Sequence, residues 1–410
     1  MVKKIVAFVE PSFYGVGFVK TAFEMGHYVI AIVSSENNPV IYGYENYFHV
    51  LITADIRESQ SVLNAIKDSV FNRKLDALIP ATDFASHITA KVASEMGLVS
   101  IPYEAAFKAR NKDLARKAFI QKGVPSVKFK LVKSLEEAKE AVLNIGLPIV
   151  LKPTNCASSQ GVYFINSMED LCSSLTELIA FKETYMGFQV RDEFLIEEYI
   201  HGPEYSVEVF LKSGEAIFSA VTEKITSPLP FFVEEAHTLP AGTLTIEEEK
   251  KLISTAIMAL DSIGLENGPA HVELKYSETG PIIIEVNGRP GGDRISTDLL
   301  IQSYNFNIFE ATISYYLNEE VNINVTYEKA STIAYLTSKK NGTVKAVKGL
   351  TKLEEEPNII KYNINVKEGD CVKIPESSDD RLGYIITKGK TPAESKKIAF
   401  SLMNNLRLEF

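Results

Sequence analysis

The stretch HVELKYSETGPIIIEVNGRPGGD, residues 271–293, decides the fold. Side chains alternate along a strand, so His271, Glu273 and Lys275 share one face while Val272, Leu274 and Tyr276 take the other. A second strand over Pro281–Asn287 sets Glu285 and Asn287 opposite in direction to Ile282, Ile284 and Val286. A hairpin closed by the connection Ser277–Pro281 then places Glu273 directly across from Glu285, with Cβ atoms ~5 Å apart. Bare like charges so placed repel, and a divalent cation removes the conflict. Asn287 adds a neutral oxygen, and Arg289 a fixed positive charge for phosphate or carboxylate. The alternative is a solvated face carrying two exposed acids. The isoleucines Ile282–Ile284 speak against it, because a strand that apolar is buried on both faces and a buried acid needs a partner.

Two further segments carry chemistry. Lys152 ends the apolar run Pro148–Leu151 and precedes the small-residue loop Ala157-Ser158-Ser159-Gln160-Gly161-Val162. Such a loop offers backbone N–H groups to a phosphate, and the lysine a point charge. The order of a Walker A loop is absent, and a plain surface lysine is the competing reading. From Leu195 an apolar strand runs to Ile200, turns at Gly202-Pro203 and returns with Glu204, Ser206 and Glu208 on one face. A row of acids facing a cleft accepts hydrogen bonds from ribose hydroxyls, whereas an exposed hairpin edge has no such role.

Around these segments the chain alternates strand and helix from residue 1 to about 105: Lys4–Val9, a helix through Val19–Met25, Tyr28–Val33, Leu75–Ile79, and a helix through Ala85–Met96. That order reads as βαβ units on a parallel sheet. Gly15-Val16-Gly17 lacks the third glycine of a dinucleotide fingerprint and reads as a helix-entry turn. Asn111 caps a helix whose Leu114, Ala115, Ala118 and Phe119 share a face and which Gly123 and Pro125 end. Strands and turns dominate from there to about residue 230. A helix through Glu247–Ile263 follows, and after about residue 310 comes a helix over Phe309–Leu317 and a small α+β cap.

The composition of the 410 residues is that of a globular protein, 45% hydrophobic and 23% charged. A net charge of -10 argues against a nucleic-acid partner. No apolar run is long enough to span a bilayer, and Glu10-Pro11 interrupts the amino terminus before a signal segment forms, so the expected location is the cytoplasm. Cys156, Cys172 and Cys371 suit neither a disulfide framework nor a zinc site. Any metal chemistry is therefore oxygen-ligand chemistry, suited to Mg²⁺ or Mn²⁺.

In their order along the chain, Lys112, Lys152, Glu197–Glu204 and Glu273…Glu285-Val286-Asn287-Gly288-Arg289 resemble the ATP-grasp superfamily of carboxylate-amine and carboxylate-thiol ligases over roughly residues 1–310. The resemblance implies four units. These are an amino-terminal parallel α/β (pre-ATP-grasp) domain over 1–105, a small ATP-grasp lobe over 106–190, a large lobe with the metal site over 191–310, and a carboxy-terminal α+β cap over 311–410. It also implies roles. Lys112 and Lys152, with the loop of Ser158, Ser159 and Gly161, contact the ATP phosphates. The backbone of Glu198 and Ile200 takes the adenine edge, Glu197 its amino group, and Glu204 the ribose. Glu273, Glu285 and Asn287 hold Mg²⁺, which Mn²⁺ can replace, and Arg289 steadies an acylphosphate.

Within the superfamily, Phe231-Phe232-Val233-Glu234-Glu235-Ala236-His237 looks like the substrate loop of bacterial L-amino-acid ligases, dipeptide synthetases. That likeness places Glu234 on the α-amino group of the substrate, with Glu235 as the alternative, and His237 and Gly292 in the pocket wall. The tail resembles the extra domain of those ligases in size and placement only. Two departures stand out. Asn287-Gly288-Arg289-Pro290 replaces the more usual Asn-Pro-Arg, and Asp293-Arg294 adds a charge pair in which Asp293, or Glu208 elsewhere, is a candidate selector of basic side chains. The resemblance implies amino-acid substrates, no nucleic-acid or membrane partner, and admits a homodimer. The rivals are an ATP-grasp ligase of another acid in purine, carbamoyl-phosphate or cofactor metabolism, and a nucleotide-binding regulator without turnover.

Overall fold

Continuous apolar runs such as Ile5–Val9 and Tyr28–Val33 are what a strand buried on both faces requires, and they form the centre of a four-stranded parallel sheet. The computed structural model describes residues 3–69, 74–184, 186–321 and 323–410. In the parallel sheet β1 (Ile5–Val9) lies between β2 (Tyr28–Val33) and β4 (Ala77–Pro80), with β3 (Val50–Thr53) outside β2. Gly15 closes a short turn and the helix Val16–Glu24 begins at the next residue, as a helix-entry turn requires. Gly15 has no room for a side chain, since a Cβ would lie 1.7 Å from the Ala81 carbonyl oxygen.

Helices Tyr103–Arg110 and Lys112–Lys122 lead into a four-stranded antiparallel sheet, ordered β5 (Phe129–Val132), β8 (Phe194–Glu198), β6 (Ile149–Pro153), β7 (Tyr163–Ile165). Strands and turns were expected to dominate this region, and beside six strands it also holds two helices that were not anticipated. Helices Leu135–Ile145 and Met168–Ala180 pack on the sheet, their first turns capped by Ser134 and Ser167. Asn111 occupies the expected N-cap position without capping. Its amide donates to the Phe107 carbonyl and its oxygen accepts from Arg191.

The third sheet has eight strands. β13 (Gly280–Asn287) forms one edge, followed by β12 (Gly268–Ser277), β9 (Glu204–Lys212), β10 (Glu215–Thr226), β11 (Glu234–Leu239) and β14 (Ala330–Leu336). Gly383–Gly389 and Ile359–Ile364 complete it, so strands of the tail extend the same sheet. The expected hairpin across Gly202-Pro203 is not formed, because β8 and β9 belong to different sheets and the turn carries the chain from one to the other. The helix Ile246–Ile263 buries Leu252, Ala256, Ala259 and Leu260 against one face. The other face holds the polar row described next.

Candidate active site

Residues paired across the eight-stranded sheet point to the same face, so the ladder itself builds the site. One row reads Lys275, Glu204, Lys224, His237 and the next Glu285, Glu273, Ser206, Thr222. Two β-bulges set these rows. The β12–β13 hairpin closes tighter than expected, with Ser277 opposite Gly280, and a bulge with Ile284 as the extra residue restores the pairing of Glu273 with Glu285. In β11 the extra residue is Glu235, which lets Glu234 and His237 face the same cavity despite their odd spacing.

The cavity, of about 310 Å³, lies where the three sheets meet. Lys112, Lys152, Ser158, Ser159, Glu197, Glu198, Ile200 and Glu204 line one part of it, and Glu234, His237, Glu273, Glu285, Arg289 and Gly292 another. Gly161 stands behind the loop, where a Cβ would meet Leu178 at 2.8 Å, and Asn287 is buried two pairs along from Glu285, across from His271. Ser158 and Ser159 both have positive φ of 56°, a costly loop geometry for side-chain-bearing residues.

Charges are arranged by neighbours that the sequence did not single out. Lys224, almost fully buried, meets Glu204 at 2.9 Å, Glu273 at 3.1 Å and Glu234 at 3.4 Å. Burial opposes its charge, yet these acids overcome that and hold its proton well above the usual lysine range. His271 bridges Glu208 at 2.8 Å and Glu273 at 3.2 Å. Burial again opposes, and the two carboxylates still push its pKa up to about 9. Lys112 reaches Glu285 at 3.3 Å and donates to the Cys156 carbonyl at 2.6 Å. Arg289 lies 3.4 Å from Asp83, which also accepts from Arg110 at 2.9 Å, and packs over the Tyr14 ring.

Three expectations need correction. The Glu197 side chain, assigned to the adenine amino group, is turned inward onto Arg116 and Lys152. Burial works against its charge, but these cations bring its pKa down to about 2. Glu208 is fully buried on His271 and Ser206 and cannot meet a substrate side chain. Asp293 and Arg294 are not a pair with each other: Asp293 holds Arg381 through two bonds of 2.8 Å and His237 at 3.1 Å, while Arg294 reaches Asp298. Ser378, in the same tail segment as Arg381, donates to Glu234.

Some of what was missed had a signal. Arg116 follows Lys112 by four residues on one helix face, and Asp83 follows β4 at the carboxyl end of a parallel sheet, where ligands of such sheets bind. Lys224 in an apolar strand is a buried charge in need of partners. Arg381 lies in the tail, where no motif pointed.

Glu273 and Glu285, with Asn287 beside them, fit a hard divalent ion, because the donor atoms are oxygens and two carboxylates are opposed on adjacent strands. Among the described residues no three His, Cys, Asp or Glu side chains converge as a preformed metal cage. That suits an ion that takes the rest of its ligands from phosphate and water.

A family model described as ATP-grasp domain matches residues 145–298, and one described as L-amino acid ligase C-terminal domain 2 matches residues 334–410. Over those two stretches the chain is thus similar to an ATP-grasp domain and to the carboxy-terminal domain of L-amino acid ligases, in agreement with the resemblance carried by its motifs. Bacterial L-amino-acid ligases are among its relatives, and the likeness of the tail to them extends to sequence as well as size. It is 32% identical over 220 residues to the alanine–anticapsin ligase of Bacillus subtilis (strain 168), covering 50% of this chain and 46% of that one. It thus spans about half the length of that relative. The L-arginine-specific L-amino acid ligase of Bacillus subtilis is 21% identical over 338 residues, 80% of this chain and 79% of the relative. The crystal structure of an L-amino acid ligase from Bacillus licheniformis superposes with a TM-score of 0.83 at 20% identity, covering 100% and 99% of the two chains, and shows the shared fold.

Proposed function

We propose that this protein is an ATP-dependent ligase that joins the carboxylate of one amino acid to the amine of another through an acylphosphate, releasing ADP and phosphate. The observation that carries the reading is one cavity with cationic groups, Lys112 and Lys152, beside the opposed pair Glu273 and Glu285, and with Glu234 and Arg289 further along. The first set suits a nucleotide triphosphate. The second suits a zwitterion, whose ammonium needs an acid and whose carboxylate needs a cation.

In this reading Lys112 and Lys152 take the phosphates, the backbone of Glu198 and Ile200 the adenine edge, and Glu204 the ribose. Glu234 holds the α-ammonium of the first amino acid and so aims its carboxylate at the γ-phosphorus. A carboxylate oxygen attacks and ADP leaves. The second amino acid's nitrogen then attacks the acyl carbon, phosphate leaves, and Arg289 steadies the negative oxygens throughout. A divalent cation held by Glu273, Glu285 and Asn287 would supply charge neutralisation on the phosphoryl oxygens.

The test is phosphate release from ATP over a matrix of amino-acid pairs, with the product identified by mass. A dipeptide dependent on both partners supports the reading. Turnover only with other carboxylic acids points to a different ATP-grasp ligase, and nucleotide binding without any turnover to a regulator.

A further inference from the structure

One guanidinium joins two walls of the cavity. Arg116, whose side chain is 2% exposed, donates to both oxygens of Glu197, at 2.8 and 3.3 Å, and to the Ile284 carbonyl at 2.6 Å. Glu197, on β8, also holds the Lys152 ammonium at 2.6 Å. Ile284, on β13, is the extra residue of the bulge that brings Glu285 opposite Glu273. Those strands belong to separate sheets, so Arg116 connects the partner of Lys152 to the backbone beside Glu285.

Charge counting shows what this does. Lys152 and Glu197 alone would be a neutral pair with little attraction for an anion. With Arg116 ionised on the same carboxylate, the triad carries one surplus positive charge. Burial is the strongest influence on Lys152 and disfavours its charged form; Arg116 and Lys112 add to that, and Glu197 opposes it. The result is an ammonium that gains from a second anion. A lysine at position 116 could not span the three acceptors, because its single ammonium lacks the fork of the guanidinium.

Resting on the ATP-grasp reading, we infer that Arg116 is a positioning residue of the nucleotide site: by engaging Glu197 and Ile284 together it leaves Lys152 with uncancelled charge for phosphate and keeps the Glu285 bulge in register.

Compensation tests this. Calorimetric titration with a non-hydrolysable ATP analogue should show Arg116→Met weakening binding by about tenfold or more, the equivalent of one charge-assisted contact. Adding Glu197→Gln to that variant frees Lys152 of its counter-ion and should recover most of the loss, which a merely structural role would not do. Arg116→Lys keeps the surplus charge and should bind the analogue within about threefold of wild type while kcat falls by about tenfold or more, since the bulge carbonyl loses its donor. A folded Arg116→Met that binds as wild type does, or a double variant no better than Arg116→Met, overturns the inference. So does an unchanged kcat in Arg116→Lys, which decides the matter if the methionine variant does not fold. Wild-type protein that binds no analogue overturns the parent reading itself, a result distinct from these.

Discussion

Glu285 shows how much of the site rests on single side chains. It faces Glu273 across the hairpin and meets Lys112, so replacing it by Gln removes a charge without opening a cavity. Lys112 keeps its bond to the Cys156 carbonyl in that variant. Glu285→Gln should therefore fold normally and lose at least ~10²-fold in turnover, because ion-held charge stabilisation is worth several kcal/mol. Phosphate release at saturating Mg²⁺, with thermal denaturation as the folding control, checks it, and near-normal turnover would sink the metal assignment. His87, by contrast, concerns stability. Burial, aided by Arg110 and opposed by Asp83, pushes its pKa down to about 4. The unfolded chain takes up this proton as pH falls through 6.5 and the folded chain does so only near 4. Stability is therefore fully present above pH 6.5 and is lost across that window, by up to roughly 3 kcal/mol. Denaturant melts at pH 7 and 4.5 should show a smaller difference for His87→Phe, which packs against the same Tyr103 and Phe107 rings.

At the scale of elements, the parallel sheet and the hairpin that pairs Glu273 with Glu285 were legible because strand periodicity survives in long apolar runs. Glu273 and Glu285 were predicted as partners, but for a five-residue connection. The chain uses a tighter turn and a bulge instead, and a bulge leaves no mark on the apolar pattern. The same holds for Glu235 in β11, whose extra position is what separates Glu234 from His237 correctly. Helices Leu135–Ile145 and Met168–Ala180 were missed although Ser134-x-x-Glu137 and Ser167-x-x-Asp170 announce their first turns. Arg381 could not be placed, because its partner Asp293 lies 88 residues away along the chain, and the partners of Lys224 depend on how its strand pairs with its neighbours. Gly15, read as part of a turn, gives the element-level prediction. Gly15→Ala drives a methyl group into the Ala81 carbonyl and should destabilise by roughly 1–3 kcal/mol or more. Gly26→Ala, with positive φ but open space, should cost only about 1 kcal/mol. Equal midpoints for the two variants in chemical denaturation would contradict this account of the turn.

For the whole molecule, the cavity exists only because three sheets converge. Asp83 comes from the parallel sheet, Lys152 and Glu197 from the four-stranded one, and the acids from the eight-stranded one, whose far strands are the tail. The tail thus reaches the Glu234 end of the cavity directly: Ser378 donates to Glu234, and Arg381 holds Asp293, which in turn holds His237. Burial opposes the charge of Asp293, and Arg381 overcomes it, keeping the carboxylate well below its usual pKa. Removing the guanidinium in Arg381→Ala leaves that acid with His237 alone and frees the wall behind Glu234. If the proposed substrate geometry is right, the KM for the activated amino acid should rise by about tenfold or more, as for other broken charge pairs, while the KM for ATP moves by less than about twofold. Glu234→Ala should raise the same constant, since it deletes the partner of the ammonium rather than its support. The two changes combined should then raise it by less than the product of the single effects, because residues in one network do not act independently. Steady-state kinetics with each substrate varied in turn decides the matter. A KM for ATP that shifts as much as that for the amino acid would place the tail at the nucleotide, and independent effects of Arg381 and Glu234 would separate the tail from substrate recognition.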